Sequence, residues 1–288
     1  MYRYTSKTDL NRNIIMKYQK LNNGIEIPML GLGVFRMEDK KEAYNSVRKA
    51  IDLGYRHIDT AKVYENEEPV GRAIRESGVS REEMFVTTKL WNEDIANDNA
   101  QKAFETSLKK LGLDYVDLYL VHWPLKDKYV TIWKEMEKIA QSDKARAVGV
   151  SNYQKNHLQE IIDLKSLVPA VNQIELHPYM SQQPLVDFCK QHNINIESWS
   201  PLCANKNNLL QEQSLKKIGE KYSKTAAQVV LRWNIERGLI VIPKSSNPKR
   251  QAENLDVFDF ELTTEDIQVI DSMNKDLRVG PHPDEVGF

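Results

Sequence analysis

The chain is predicted to be an α/β protein, a closed (β/α)8 barrel of the TIM type preceded by an N-terminal β-hairpin. Eight short runs rich in β-branched and apolar residues recur along it, each followed by a stretch with helical patterning. The interval between strands is about 30 residues, the length of a βαβ unit. The glycine signature of an open dinucleotide-binding sheet is incomplete, because Gly31-Leu32-Gly33 runs on into Val34-Phe35-Arg36 with no third glycine. At 288 residues the chain could hold two average domains, but barrels of this class reach that length as one. There is no linker, low-complexity tract or fixed-period repeat. One domain is therefore expected over residues 16–288, with the polar residues 1–15 a loose extension ahead of Met16.

The elements follow in order. Lys17–Leu21 and Ile25–Pro28 flank Asn22-Asn23-Gly24, and an Asn-Gly step between two such runs signals a hairpin. Barrel strands are expected at Met29–Gly33, Arg56–Thr60, Phe85–Leu90, Val116–Trp123, Ala145–Ser151, Ala170–Glu175, Asn195–Ser200 and Ile240–Pro243. Helices are expected between them, among others at Glu42–Leu53, Ala100–Leu111 and Leu215–Tyr222. Late in the chain Ser246-Asn247-Pro248-Lys249-Arg250 reads as a helix start, with Asn247 the N-cap and Pro248 the first helical residue.

Composition narrows the function. The 40 basic and 41 acidic residues leave a formal charge of −1, so no strong field points to nucleic acid or a membrane surface. No apolar run reaches the roughly 18–20 residues of a membrane span, and the start lacks the apolar core of a secretory signal. Two cysteines, Cys189 and Cys203, are too few for a disulfide framework and suit no metal site. A reducing cytoplasm is the expected setting. A monomer is the expected state, since no apolar strip is left over for an interface.

In a β/α barrel the chemistry sits at the C-terminal ends of the strands. There the sequence places Asp59, with Tyr64 in the loop beyond it, then Lys89, His122-Trp123, Ser151-Asn152 and Gln173. Taken singly, each has a blander reading as a cap, a solvated side chain or a core histidine. Together they suit proton delivery to a carbonyl oxygen. An ammonium beside a tyrosine favours phenolate and lowers its pKa, an aspartate holds the ammonium, and a histidine can hydrogen-bond the same substrate oxygen. A hydrolase working with carboxylates, with Glu175 or Asp117 as candidates, would need a second carboxylate at the same mouth. Phe35, Trp91 and Trp123 follow the first, third and fourth strands and are expected, with His122, to line a small substrate pocket. Lys244, Ser245 and Arg250 cluster at the helix start around residue 248, where free N–H groups and basic side chains attract an anion.

Gly54-Tyr55-Arg56-His57-Ile58-Asp59-Thr60-Ala61 followed by Tyr64 strongly resembles a motif of the aldo-keto reductase family. So do Leu113-Asp114-Tyr115-Val116-Asp117-Leu118-Tyr119-Leu120-Val121-His122-Trp123-Pro124, Arg146-Ala147-Val148-Gly149-Val150-Ser151-Asn152-Tyr153 and Ile242-Pro243-Lys244-Ser245. The resemblance runs from about Lys17 to the C-terminus, and it is nearest the small bacterial diketogluconate reductase and glyoxal/methylglyoxal reductase type. It implies NADPH-dependent reduction of small aldehydes and ketones, with a catalytic tetrad of Asp59, Tyr64, Lys89 and His122 and with Tyr64 the proton donor. It also implies that Ser151, Asn152 and Gln173 meet the nicotinamide carboxamide and that Trp199 stacks on the ring. By the same resemblance Leu202 lies along the cofactor, Lys244, Ser245 and Arg250 take the 2′-phosphate, and Glu253 and Asn254 contact adenine. Lys62 stands where many members have a small residue, adding a charge near the site.

Overall fold

The computed structural model describes residues 16–285; the extension expected over residues 1–15 lies outside them. The Asn-Gly turn does what its chemistry allows. Gly24 takes φ +89°, and Leu21 N–H donates to Ile25 O at 2.8 Å. This pairs β1 (Tyr18–Lys20) antiparallel with β2 (Glu26–Pro28), Gln19 opposite Ile27. Leu21 and Ile27 are buried against Phe85, Leu118, Leu120 and Val171, the inward-facing side chains of the barrel floor. The hairpin thus plugs the N-terminal end and leaves the opposite mouth for chemistry.

Eight parallel strands follow: β3 (Leu32–Gly33), β4 (His57–Asp59), β5 (Phe85–Leu90), β6 (Val116–Val121), β7 (Ala145–Ser151), β8 (Val171–Glu175), β9 (Asn195–Trp199) and β10 (Ile240–Val241). Each pairs with the next in chain order. The ring closes where Leu30 bridges Val241 and Gly33 bridges Lys244, with Gly31 N–H donating to Val241 O at 2.8 Å. Gly33 is required at this seam, since a Cβ there would lie 2.9 Å from Ile242 O.

Helices α1 (Lys40–Leu53), α2 (Glu67–Arg75), α3 (Asn92–Ala96), α4 (Ala100–Leu111), α5 (Tyr129–Ala140), α6 (Lys155–Ile162), α7 (Gln183–Gln191), α8 (Gln213–Tyr222), α9 (Ala226–Glu236), α10 (Pro248–Leu255) and α11 (Thr264–Asp271) surround the strands. Local signals set their ends. Asp39 caps α1 by accepting from Glu42 N–H at 2.7 Å, and Gly54 stops it at φ +111°. Apolar Val47, Ala50 and Ile51 of α1 turn inward to the main core, which lies between the helices and the outward faces of the strands. Inside the barrel the two-residue period alternates. Leu118 and Leu120 of β6 face the interior, while Tyr119 and Val121 face the helices.

Helices α2 and α4 touch backbone to backbone at Gly71, where an added Cβ would sit 1.9 Å from Leu111 O. Gly71→Ala is therefore expected to cost about 1–3 kcal/mol or more by overpacking, and to lower the midpoint of thermal unfolding by several degrees. A midpoint equal to the wild type's would show that the two helices separate without cost.

Candidate active site

The inward period of the strands selects the residues of the mouth. On β4 it turns His57 and Asp59 into the barrel, on β5 Thr87 and Lys89, on β8 Gln173 and on β9 Glu197. Register then stacks them, with Asp59 level with Thr87 and Gln173 level with Glu197. Lys89 Nζ donates to Asp59 Oδ1 at 2.7 Å and to Thr60 O at 2.8 Å, with both side chains almost wholly buried. Tyr64 ends the short turn Lys62–Tyr64 after β4. Asn66 holds that turn in place. It accepts from Thr60 Oγ1 at 2.7 Å and donates to Val34 O at 3.0 Å.

Around the polar centre stands an aromatic rim. The Tyr64 ring centroid lies 5.6 Å from that of His122 and 5.1 Å from that of Phe35, and Trp91 lies 5.2 Å from His122. Lys89 Nζ is 5.1 Å from the Tyr64 ring centroid. Phe35 is 53% exposed at the lip, whereas Trp123 is buried beside His122. The structure thus gathers Asp59, Tyr64, Lys89 and His122 at one mouth, with Phe35 and Trp91 over them.

Electrostatics modify one expectation. Burial raises the Tyr64 phenol above its ordinary value, and Lys89, which acts in the opposite direction, does not overcome it. The expected net lowering by the ammonium is therefore not found, because desolvation of the phenolate outweighs one nearby cation. Tyr64 is a fully protonated phenol at neutral pH. Burial also works against the Lys89 ammonium, but Asp59 and Tyr64 beside it win and raise its pKa. For His122, burial and the Lys89 charge both push the imidazole well below its usual value, so it is neutral.

Deeper along the mouth, Ser151 Oγ donates to Gln173 O at 2.8 Å, and Asn152 Nδ2 donates to His122 O at 3.0 Å. Trp199 Nε1 donates to Asn152 Oδ1 at 2.8 Å, which ties the half-buried indole to that amide. Gln173 Nε2 donates to Asp59 Oδ2 at 2.8 Å and to Glu197 Oε2 at 2.9 Å. Leu202 is half-buried just beyond β9.

The basic cluster forms on the far side of the seam. Lys244 follows β10 and is exposed, as is Arg250 in the first turn of α10, with Ser245 buried between them. Asn254 is buried and Glu253 half-buried one turn further on. Asn247 is the N-cap and Pro248 the first helical residue, as the sequence predicts, but the cap has a consequence. Asn247 Oδ1 already accepts from Lys249 N–H at 2.9 Å and Arg250 N–H at 3.2 Å. Two first-turn amides expected to be free for an anion are thus satisfied, which leaves the side chains of Lys244, Ser245 and Arg250 as the donors an anion there would meet.

Other charges resolve into supports. Asp117 is buried near the start of β6, held by Arg81 and Arg146 at 2.7 Å each and by Val86 N–H. Glu175 accepts from Val279 N–H at 2.6 Å and Gly280 N–H at 3.0 Å, which straps the C-terminal segment beside Trp199. Neither is a hydrolytic carboxylate. Lys62 is ion-paired with Asp94 on α3, so its charge near the mouth is compensated. Sequence reasoning missed Glu197. Its signal was the two-residue period that carries Trp199 inward and carries Glu197 with it.

A (β/α)8 barrel with a buried Lys–Asp pair, a protonated tyrosine and a neutral histidine at its mouth defines a barrel oxidoreductase. The chain belongs to the aldo/keto reductase family, whose model matches residues 29–275. It is 52% identical to glyoxal reductase of Bacillus subtilis (strain 168), over 93% of this chain and 97% of that one. It is 45% identical to methylglyoxal reductase DkgA of Escherichia coli (strain K12), over 93% and 97%. A crystal structure of a Bombyx mori aldo-keto reductase in complex with NADP superposes with a TM-score of 0.88 at 39% identity, covering 93% of this chain and 96% of that one. Among the described residues no helix is long and apolar enough to cross a membrane.

Proposed function

We propose that this chain reduces small aldehydes and ketones to alcohols with NADPH, α-dicarbonyls such as methylglyoxal among its substrates, and that Tyr64 is the proton donor. The observation that carries the reading is the buried Lys89–Asp59 pair set beneath Tyr64 and His122 at the open end of the barrel. The names of the glyoxal and methylglyoxal reductases, and the NADP in the Bombyx mori structure, support the substrate class and cofactor.

The donor set fits NADPH. Lys244, Ser245 and Arg250 offer two cations and a hydroxyl for a 2′-phosphate, with Glu253 and Asn254 beside them for adenine. Trp199 offers a flat face, and Gln173, with Ser151 and Asn152 behind it, offers amide groups for the carboxamide. When bound, NADPH supplies the hydride that reaches the carbonyl carbon. Tyr64 gives its hydroxyl proton to the carbonyl oxygen, neutral His122 hydrogen-bonds that oxygen, and Lys89 stabilises the phenolate left behind. Asp59 keeps Lys89 charged and aimed. The rim of Phe35, Trp91 and Trp123 excludes water and asks little of a substrate beyond a carbonyl.

The test is loss of NADPH absorbance with purified protein and a panel including methylglyoxal, beside NADH controls. Turnover that prefers NADPH is expected. Quenching of tryptophan fluorescence by NADPH without turnover would instead make this a cofactor-binding protein.

A further inference from the structure

Glu197 is wholly buried on β9, facing the barrel interior one layer below the mouth. A single amide group joins it to the tetrad, since Gln173 Nε2 donates one hydrogen to Glu197 Oε2 and the other to Asp59 Oδ2. Asp59, paired with Lys89, is a carboxylate and only accepts, so the Gln173 amide has one permitted orientation, with its nitrogen toward Asp59 Oδ2 and Glu197 Oε2. What it then offers the cofactor amide is its carbonyl Oε1, an acceptor for the carboxamide NH2.

The charges around Glu197 are few. From β4 come Asp59 and His57, whose Nε2 lies 3.4 Å from Glu197 Oε1. From β5 come Lys89 and the Thr87 hydroxyl, the latter 3.3 Å from the same His57 nitrogen. From the turn after β4 comes Tyr64, and β10 presents only Ile240 at this level. Burial lowers His57 to about 3, so it brings no charge. Two buried carboxyl groups therefore share one cation, Lys89, and that cation is bonded to Asp59. Ionising both would leave an uncompensated buried charge, which costs several kcal/mol.

We propose that Glu197 is a positioning residue of this site: through Gln173 it fixes the acceptor that meets the nicotinamide carboxamide, and its charge state sets the alkaline limit of carbonyl reduction. Glu197 holds the odd proton at neutral pH on Oε1, the oxygen that Gln173 does not use and that lies 3.4 Å from His57 Nε2. Burial, then the Asp59 charge, lifts its carboxyl to about 8. When it ionises, its negative charge raises the Tyr64 phenol further and makes it a weaker acid. The sign follows: reduction is full while Glu197 is protonated and falls as pH rises through that value.

The inference rests on Tyr64 as proton donor for its second half only, and the experiment separates the two. In the protein without cofactor, infrared difference spectra between neutral and alkaline pH should show a carboxylic acid band that Glu197→Gln lacks. NADPH affinity should fall about tenfold in Glu197→Leu, which removes one of the two buried acceptors of the Gln173 amide and leaves one of its N–H groups unsatisfied, and Glu197→Gln should restore most of it. In turnover, the wild type should lose activity with an apparent pKa near 8, and Glu197→Gln should move that limb upward by at least about one pH unit. Absence of the band, or a Glu197→Gln profile that superimposes on the wild type's, would overturn the proposal. A wild type that reduces no carbonyl yet shows the band and the affinity pattern would sink the reductase reading while leaving the proton on Glu197.

Discussion

Tyr64→Phe is expected to lower kcat for aldehyde reduction by about 10²–10⁴, which is roughly 3–5 kcal/mol of transition-state stabilisation. The size of the effect comes from what the substitution leaves alone. Phe keeps the ring contacts to Phe35 and His122. Lys89 keeps Asp59 and Thr60 O, so no buried cation is stranded. Only the hydroxyl is lost, and with it the one group at the mouth that is both protonated at neutral pH and placed beside a cation able to receive the resulting charge. Fluorescence titration with NADPH should give nearly the wild-type affinity. Near-normal turnover in this variant would show that some other group delivers the proton.

Arg250→Ala is expected to weaken NADPH binding by about 10–100-fold, the worth of a charge-assisted hydrogen bond of roughly 1.5–3 kcal/mol, and to leave NADH almost untouched. Asn247 makes this effect larger than a helix start alone would suggest. Because it occupies the Lys249 and Arg250 amides, a phosphate bound here as proposed would depend on the Lys244, Ser245 and Arg250 side chains. The same cap keeps α10 wound after the substitution. Binding should also weaken with added salt, since Lys244 and Arg250 are exposed. Equal losses for NADPH and NADH would remove the 2′-phosphate from this end of the barrel.

Much of this architecture was legible because its signals are local. The Asn23-Gly24 turn, the Asn247-Pro248 helix start and the alternation along β6 each follow from a few neighbouring residues, and strand-end logic collects Asp59, Lys89 and His122 without coordinates. The family resemblance added Trp199, Leu202, Glu253 and Asn254, which no local signal singles out, and gave roles to the residues already found at the strand ends and at the α10 start. What escaped depends on long-range placement. The direction of the Tyr64 shift requires knowing how deeply the phenol is buried, and the sequence shows only that a lysine is near. Glu197 looks like an isolated charge in Asn195–Ser200 until the register sets it opposite Gln173. Lys62 finds Asp94 on an element 30 residues on, and Glu175 finds backbone amides more than 100 residues on. Such pairings belong to the closed barrel and to no stretch of it.

The stretch that closes the ring carries a consequence for the lifetime of the molecule. Gly33 bridges Lys244, and Met29–Gly33 exchanges backbone hydrogen bonds with Val241 and Pro243. A dinucleotide whose phosphate sat on Lys244, as proposed, would therefore work as a clasp across the join between the first and last staves. Any ligand bound only by the closed form stabilises it in proportion to the logarithm of ligand concentration over its dissociation constant. Both redox states of the cofactor carry that phosphate, so the total dinucleotide present would set the resistance to opening and proteolysis, and its reduced share alone would set the rate of reduction. Loss of the whole dinucleotide pool would shorten the life of the protein, whereas its oxidation alone would not.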